Sequence, residues 1–201
     1  MIEIADEGAL RIVTLARPDK ANALTAGMLE ALCIAAEDTA PRALILTGQG
    51  RVFSAGADLD AARAGLAVSP LWERLSAAIA VHPGLTIAAL NGTLAGGATG
   101  MALACDLRIA VPEARFFYPV MKLGFLPQPS DPVRMAALIG PARTRLVFMA
   151  GARLSADEAL NYGLIDRIVE VDGLMDAARG LCADTLSAPP EIARKIKEMT
   201  R

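Results

Sequence analysis

A long uncharged stretch is the feature of this sequence that most limits how the chain can fold. Residues 75–105 include no Asp, Glu, Lys or Arg, so most of them have to leave water, either in a protein interior or in a bilayer. Pro83-Gly84, Asn91-Gly92 and Gly96-Gly97 divide the stretch into short pieces, and a membrane-spanning helix would rarely tolerate so many breaks. The stretch therefore predicts short buried strands and helices in the core of a globular protein.

Composition excludes several classes of protein. With 201 residues, of which 54% are hydrophobic, the chain can bury one large core. Its 20 basic residues are balanced by 22 acidic ones, which argues against charge-driven binding to nucleic acid. Three dispersed cysteines and a single histidine argue against a disulfide framework and a metal site. Early acidic residues rule against a signal peptide, so we expect a cytoplasmic protein with no nucleic-acid or membrane partner.

Predicted strands and helices alternate along the chain. Apolar runs bounded by turn residues predict strands at 2–16 (two strands around a turn), 43–46, 85–90, 107–111 and 164–171. Helical spacing predicts a helix that Thr25 caps and further helices at 60–67, 71–81, 96–105, 174–186 and 190–199. Ser155 and Glu158 form a capping-box pattern before one more helix, which Gly163 would end. This alternation predicts a mixed α/β domain with a mainly parallel sheet.

Two glycine-rich segments follow predicted buried strands, but neither matches a nucleotide-binding motif. The segment from Gly92 to Gly97 continues into Ala98 and Thr99, so it lacks the lysine of a phosphate-binding loop. The segment 48–53 lacks the third glycine of a dinucleotide fingerprint. Neither segment therefore predicts a nucleotide site.

The same region of sequence places backbone N–H groups at two strand-to-helix junctions, 55–57 and 96–97. The first amides of a helix have no intrahelical acceptor, and two of them aimed at one point would form an oxyanion hole. The alternative is that these glycines only allow tight turns and close helix–strand packing. Spacing alone leaves both interpretations open.

Four segments, taken in order, resemble the crotonase (enoyl-CoA hydratase/isomerase) family. They are Asn22-Ala23-Leu24-Thr25, then Phe53-Ser54-Ala55-Gly56-Ala57-Asp58-Leu59, then 91–106 with Gly96-Gly97 and Ala104-Cys105-Asp106, and 154–166 with Gly163-Leu164-Ile165-Asp166. The resemblance implies an α/β fold of the ClpP/crotonase type, a superhelix of repeated β-β-α units. Residues 1–186 would form this core and 187–201 a truncated C-terminal helix.

The resemblance also implies an acyl-CoA thioester as ligand, with coenzyme A carried by the substrate and no separate cofactor. The oxyanion donors would be the backbone N–H groups of Ala57 and Gly97. Contacts to the pantetheine and adenine of CoA are implied for Ala55, Asp58, Leu59 and Asp60. Lys20, together with Arg17, would reach the CoA phosphates, and the alternative for both is an ordinary solvated loop.

Two positions depart from the family pattern. Hydratases of the family carry catalytic glutamates at the positions of Gly100 and Val120. Because hydration needs groups that activate water and deliver the α-proton, ordinary hydratase or isomerase activity is not expected. Decarboxylation fits better, since loss of CO₂ generates the enolate without a base, and thioester hydrolysis comes next. The alternatives are a catalytically weak or inactive homologue that binds CoA thioesters or serves as a structural partner of another enzyme, and conventional activity carried by Asp131 or another residue.

Three further residues have a catalytic and a structural interpretation. Asp131 lies near a loop where some family members carry an aspartate, but its place at a predicted helix start favours a cap formed by Ser130 or Asp131. Tyr118 could donate a hydrogen bond in the pocket or could belong to a buried aromatic strand. His82 matches no catalytic position of the family and is expected at the surface or at a boundary.

The resemblance implies an assembly as well, a homotrimer or a hexamer made of two trimers. Family chains usually continue past the segment 193–197 into helices that roof the acyl pocket or dock on a neighbouring subunit. The sequence here reaches Arg201, so the expectation is a pocket without that roof.

Overall fold

Short strands and helices alternate throughout the computed structural model, which describes residues 1–200. Its strands are β1 (Ile2–Glu7), β2 (Leu10–Leu15), β3 (Ala43–Gly48), β4 (Val52–Ser54), β5 (Leu85–Leu90), β6 (Thr93–Ala95), β7 (Leu107–Ala110), β8 (Arg115–Phe117), β9 (Leu154–Ser155) and β10 (Arg167–Ile168). Its helices are α1 (Ala26–Glu37), α2 (Leu59–Arg63), α3 (Leu71–Val81), α4 (Thr99–Ala104), α5 (Val120–Leu123), α6 (Asp131–Phe148), α7 (Ala156–Tyr162), α8 (Leu174–Ser187) and α9 (Pro190–Met199). Single 3₁₀ turns lie at Pro18–Lys20, Leu66–Val68, Gly96–Ala98 and Val171–Gly173.

The strands form two sheets. The larger sheet has the order β1-β2-β3-β5-β7-β10, and the smaller has the order β4-β6-β8-β9. Neighbouring strands are parallel except for the pairs β1–β2 and β8–β9. The pairs β3–β4, β5–β6 and β7–β8 each add one strand to each sheet before the chain returns through helical segments. This repetition confirms the predicted superhelix of β-β-α units.

The uncharged stretch 75–105 supplies the centre of the protein. It forms most of α3, all of β5 and β6, and α4, and β5 lies between β3 and β7 in the larger sheet. Residues 87–90 of β5 are each 0% exposed. Among the described residues, no helix is long and apolar enough to span a membrane. The stretch is therefore buried inside the protein, as its glycine and proline interruptions predict.

Local sequence patterns predict most element positions, but they misjudge one strand and miss three short ones. β5 and α9 have the predicted bounds, and Thr25 caps α1 by accepting a hydrogen bond at Oγ1 from the N–H of Met28 at 3.3 Å. The predicted strand at 164–171 is wrong in length, because only the two residues of β10 pair with β7. The patterns also miss β4, β6 and β9, whose two or three residues are too few to show an alternation.

His82 is buried, so the expectation of a surface or boundary position is wrong. Only 1% of the residue is exposed, and its Nδ1 accepts a hydrogen bond from the N–H of Gly84 at 3.1 Å. Burial lowers the pKa of His82, because the charged imidazolium would lose its hydration. The residue therefore supports the turn between α3 and β5 as a neutral side chain.

The last helix is joined to the core by one lysine. Nζ of Lys197 lies 2.7 Å from Oδ2 of Asp106 and 3.0 Å from the carbonyl oxygen of Gly84. These contacts bind α9 to the turns that precede β5 and β7. α8 ends at Ser187, and the division of the chain at 186/187 stays a prediction.

The capping box of α7 provides a first test of the fold. Ser155 Oγ accepts from the N–H of Glu158 at 3.2 Å, and Glu158 Oε2 accepts from the N–H of Ser155 at 2.8 Å. Replacing Ser155 with Ala leaves a helix amide without its acceptor, so we expect the free energy of unfolding to fall by about 0.5–2 kcal/mol. Urea denaturation measures this, with Ser187→Ala at the end of α8 as the control. Equal stability of Ser155→Ala and the parent protein would contradict the assignment.

Candidate active site

Three parallel strands of the smaller sheet deliver their carboxyl ends to one edge. β4, β6 and β8 pair side by side, with Leu94 opposite Ser54 on one side and Phe116 on the other. The chain leaves these strands at residues 55–57, 96–97 and 118–120. In parallel sheets, the crevice outside the carboxyl ends is where ligands bind. The candidate site lies there.

The N–H of Ala57 is held away from the rest of the backbone. Ala57 forms an isolated parallel bridge with Leu24, in which Leu24 donates to the carbonyl of Gly56 and accepts from the N–H of Asp58, each at 2.8 Å. In such a bridge the bonded groups belong to the neighbours of Ala57, so its own N–H points to the other side. No acceptor for this N–H is present among residues 1–200. It is therefore an unpaired donor on a wall of the crevice.

Gly97 lies in the 3₁₀ turn that leads into α4, where the first amides have no intrahelical acceptor. A Cβ atom at Gly97 would lie 3.3 Å from three ring atoms of Trp72. Trp72 is buried, and its Nε1–H donates to the carbonyl of Leu66 at 2.7 Å. The indole thus packs directly beneath the amide, and only glycine fits over it without displacement. Sequence patterns do not show this contact, because α3 and α4 are far apart along the chain.

Gly56 brings the two amide-bearing segments together. Its φ of +93° is unfavourable for other residues, and a Cβ atom would lie 2.9 Å from the carbonyl oxygen of Ala95 and 3.5 Å from the nitrogen of Gly97. The segments 55–57 and 96–97 are therefore in contact, as the oxyanion-hole interpretation requires. The tight-turn interpretation is correct for Gly56. The oxyanion-hole interpretation uses the same close approach and stays a prediction.

An apolar cavity of about 140 Å³ opens between these segments and the end of β8. It is lined by Ala55, Ala57, Leu59, Ala62, Ala67, Trp72, Gly96, Gly97, Tyr118, Pro119, Val120, Leu123, Phe125, Leu126 and Gln128. This lining includes no charged side chain. Hydrogen bonds formed inside it are therefore strengthened by a low local dielectric.

Two of the residues implied in CoA binding, Ala55 and Leu59, line this cavity. Lys20, Leu59 and Asp60 are exposed. Asp58 accepts from the N–H groups of residues 60 and 61 and forms an ion pair with Arg17 at 2.8 Å. The guanidinium of Arg17 lowers the pKa of Asp58, so this carboxylate stays charged. Arg17 is thus already paired within the protein, whereas the ammonium group of Lys20 reaches solvent.

Asp131 is buried, and the cap interpretation is right only in position: Ser130 is the N-cap residue of α6, but its side chain does not cap the helix. Asp131 is 0% exposed, and its side chain does not cap α6 either. The Ser130 side chain accepts no hydrogen bond from a backbone N–H of α6. Its backbone N–H and its Oγ–H instead donate to Oε1 of Glu73 in α3, at 3.1 and 2.9 Å. The contact between α3 and α6 turns the Asp131 carboxyl inward, towards α4 and β8.

The Asp131 carboxyl occupies the space beside Gly100. A Cβ atom at Gly100 would lie 2.6 Å from Oδ1 of Asp131 and 3.2 Å from its Cγ. The absence of a side chain at position 100 is therefore what makes room for this carboxyl. Val120, at the other glutamate position, is buried and contributes only apolar surface to the cavity. No local pattern relates residues 100 and 131, so sequence reasoning could not find this contact.

Tyr118 connects the buried carboxyl to the cavity. Its hydroxyl donates to Oδ2 of Asp131 at 3.0 Å, and its ring lines the cavity and packs on Phe148 with centroids 5.0 Å apart. The sequence predicts either a buried Tyr118 or one that donates a hydrogen bond in the pocket. The residue is buried and also borders the pocket, so each expectation is met in part. Burial and the neighbouring carboxylate raise the pKa of Tyr118.

The surroundings of Asp131 favour its neutral form. Burial is the main cause that raises the pKa of its carboxyl to about 7, and the negative charge of Glu73 raises the pKa further. The hydrogen bond from Tyr118 and the positive charge of Arg134 lower the pKa in part. Oδ1 has no hydrogen-bond partner among the described residues, and an unpaired buried oxygen is less costly on a neutral carboxyl. Near neutral pH this group can therefore both give and take a proton.

Comparisons with known proteins agree with this architecture. The family model described as enoyl-CoA hydratase/isomerase matches residues 5–201. The carnitinyl-CoA dehydratase of Salmonella enteritidis PT4 is 36% identical over 214 residues, which cover 100% of this chain and 80% of that protein. Pseudomonas aeruginosa DspI superposes with a TM-score of 0.90 at 31% identity, over 99% of this chain and 85% of its own. An enoyl-CoA hydratase from Bacillus anthracis gives a TM-score of 0.88 at 32% identity, over 98% and 81%.

The shared space of Gly100 and Asp131 predicts a sign reversal in stability. We expect Gly100→Ala to lower the free energy of unfolding by about 1–3 kcal/mol, because the new methyl group overlaps the carboxyl. In an Asp131→Ala background the overlap disappears, and the same change should stabilise α4 by about 0.5–1 kcal/mol. Denaturant titrations of the four proteins measure both effects. Gly180→Ala, which adds a methyl group where no atom lies within 4 Å, is the control, and equal effects of Gly100→Ala in both backgrounds would contradict the contact.

The raised pKa of Asp131 predicts a pH-dependent stability. Between its ordinary value of 3.8 and about 7, the folded protein holds a proton that the unfolded chain releases. The stability that Asp131 contributes is therefore full below pH 3.8 and is lost as pH rises through about 7. We expect the free energy of unfolding of the parent protein, relative to Asp131→Asn, to fall between pH 5 and pH 8. A constant difference across that range would show that Asp131 titrates normally.

Proposed function

Because the chain belongs to the enoyl-CoA hydratase/isomerase (crotonase) family, we propose that it binds an acyl-CoA thioester and stabilises its enolate with the N–H groups of Ala57 and Gly97. The observation that carries this proposal is the contact between segments 55–57 and 96–97 at the edge of an apolar cavity. A thioester enolate concentrates negative charge on the former carbonyl oxygen. Two preorganised amides in a low-dielectric site stabilise that charge more than they stabilise the neutral thioester.

The surroundings of the cavity support a reaction with one proton transfer. Gly100 and Val120 supply no acid or base, and the nearest ionisable pair is Tyr118 with Asp131. Syn addition of water would need two proton-transfer functions in the same apolar cavity. Decarboxylation needs one: the carbon–carbon bond breaks, CO₂ leaves, the electron pair becomes the enolate, and one proton then adds at C2.

The uncharged lining favours decarboxylation for a second reason. A substrate carboxylate that enters the cavity loses hydration and finds no cationic side chain among the lining residues. CO₂ is neutral, so the transition state, in which the charge moves from the carboxylate to the thioester oxygen, is disfavoured less than the ground state. The proposed substrate is therefore a CoA thioester with a carboxylate at C2, such as malonyl-CoA or methylmalonyl-CoA.

A second candidate is reversible dehydration of a 3-hydroxyacyl-CoA. The observation that favours it is the 36% identity with a protein named carnitinyl-CoA dehydratase. In this chain the proton transfers would fall to Asp131 and Tyr118 alone. We propose for either reaction that Lys20 binds the CoA phosphates, that Ala55, Asp58, Leu59 and Asp60 border the pantetheine and adenine, and that the protein works as a homotrimer or hexamer.

A mass-spectrometric screen separates these reactions. The purified protein is incubated with malonyl-, methylmalonyl-, crotonyl- and 3-hydroxybutyryl-CoA, and each thioester is followed by mass. Loss of CO₂ from a malonyl-type thioester is the expected result. Gain or loss of water would select the dehydratase, and release of free CoA a thioester hydrolase. Binding of all four without turnover would overturn catalysis in favour of a CoA-thioester-binding protein.

Removal of one amide tests the oxyanion hole. Proline at position 57 has no N–H, and the N–H of Ala57 forms no bond within the protein that this change would break. We expect Ala57→Pro to lower kcat by about 10²–10³, while the thioester still binds. Turnover is measured with the substrate found in the screen, and binding is measured by calorimetry. An unchanged kcat in a folded variant would exclude this amide as a donor.

A further inference from the structure

We infer that Asp131, acting through the hydroxyl of Tyr118, exchanges the proton at C2 of the bound thioester, from the position that a side chain at residue 100 would otherwise occupy. The inference rests on the proposed enolate chemistry of this cavity. It assigns Tyr118 as the group that contacts the substrate and Asp131 as the proton reservoir behind it.

The Asp131 carboxyl lies close to the proposed oxyanion amide of Gly97. Gly97 and Gly100 are three residues apart on one continuous helical segment, 96–104, so they share a face. Oδ1 of Asp131 lies 2.6 Å from the point where a side chain at Gly100 would begin. The carboxyl therefore enters from α6 the space that lies one turn from the proposed oxyanion amide.

Tyr118 connects the Asp131 carboxyl to the cavity. Asp131 does not line the cavity, but Tyr118 does, and the two side chains are hydrogen-bonded at 3.0 Å. The Tyr118 ring packs on Phe148. The Tyr118 hydroxyl therefore offers a path for a proton between Asp131 and a ligand in the cavity.

The charged groups around the Asp131 carboxyl leave it without an ion-pair partner in the described part of the chain. It faces Tyr118 from the end of β8, Glu73 from α3 and Arg134 from its own helix. Arg134 donates to Ser130 Oγ at 2.8 Å, and no cation forms an ion pair with Asp131 among the described residues. A carboxyl in an ordinary structural ion pair would be permanently charged, whereas this one can hold a proton for transfer.

Protonation of the enolate moves two protons along the relay. The Tyr118 hydroxyl proton moves to C2 of the enolate, where a carbon–hydrogen bond forms and the thioester carbonyl is restored. The carboxyl proton of Asp131 moves at the same time to the Tyr118 oxygen, which leaves a carboxylate. Water restores the Asp131 proton by the same route after the product has left. In the reverse direction the Tyr118 oxygen takes a proton from C2 while its own hydroxyl proton moves to the Asp131 carboxylate.

Deuterium exchange tests this relay without a known substrate. The protein is incubated with butyryl-CoA in D₂O, and deuterium at C2 is followed by mass spectrometry. We expect the parent protein to catalyse exchange and both Asp131→Asn and Tyr118→Phe to lower its rate by about 10²–10⁴. Tyr162→Phe, at the only other tyrosine of the chain, and Asp172→Asn, at an exposed carboxylate, are the matched controls. Thermal unfolding confirms that each variant is folded.

The pH profile distinguishes a catalytic from a structural effect. Exchange requires the carboxylate form, so the rate in the parent protein should rise with pH through about 7, and Asp131→Asn should lose this step. Exchange that survives in both variants would overturn the relay, and survival in Tyr118→Phe alone would show that Asp131 acts without Tyr118.

Binding and the Ala57→Pro variant separate this inference from the proposed function. Loss of exchange in Ala57→Pro, with full exchange in Asp131→Asn and Tyr118→Phe, would keep the oxyanion hole and overturn the relay. No exchange by a parent protein that binds butyryl-CoA would also overturn the relay. No binding of butyryl-CoA or of the screened thioesters would overturn the proposed function itself.

Discussion

The parallel pairing of three very short strands, β4, β6 and β8, is the constraint on which the site depends. Parallel neighbours run in the same direction, so all three junctions with the following segments lie at one edge. Strands of three residues are not stable alone. Each is held because the strand before it, β3, β5 or β7, is anchored in the larger sheet. The large sheet thus stabilises the fold, and the small sheet aligns the two amides and Tyr118.

Local signals explain how much of the fold could be predicted. The capping box at Ser155, the cap at Thr25 and the apolar run of β5 depend on neighbours within a few residues, and each is present as predicted. The failures depend on distant partners. β4 depends on pairing with β6, which is distant in sequence, and the burial of His82 follows from the elements that pack around it rather than from its neighbours in sequence.

The candidate site also has parts that could be predicted from local sequence and parts that could not. The positions of Ala57 and Gly97 follow from turn chemistry and from the family resemblance, and their segments lie in contact as expected. Asp131 could not be placed, because an aspartate at a helix start normally caps it. Here Glu73 takes the polar groups of Ser130, and the missing side chain at Gly100 leaves a space for the carboxyl. Tertiary contacts thus override a local preference.

The overlap of residues 100 and 131 also limits the evolutionary routes open to this chain. Because a side chain at Gly100 would collide with the Asp131 carboxyl, a carboxylate at 100 and one at 131 fit together only if one of the two side chains shifts. A route from this arrangement to one with a glutamate at 100 therefore passes either through a protein with no carboxylate in that space or through one in which the two side chains crowd each other and stability falls.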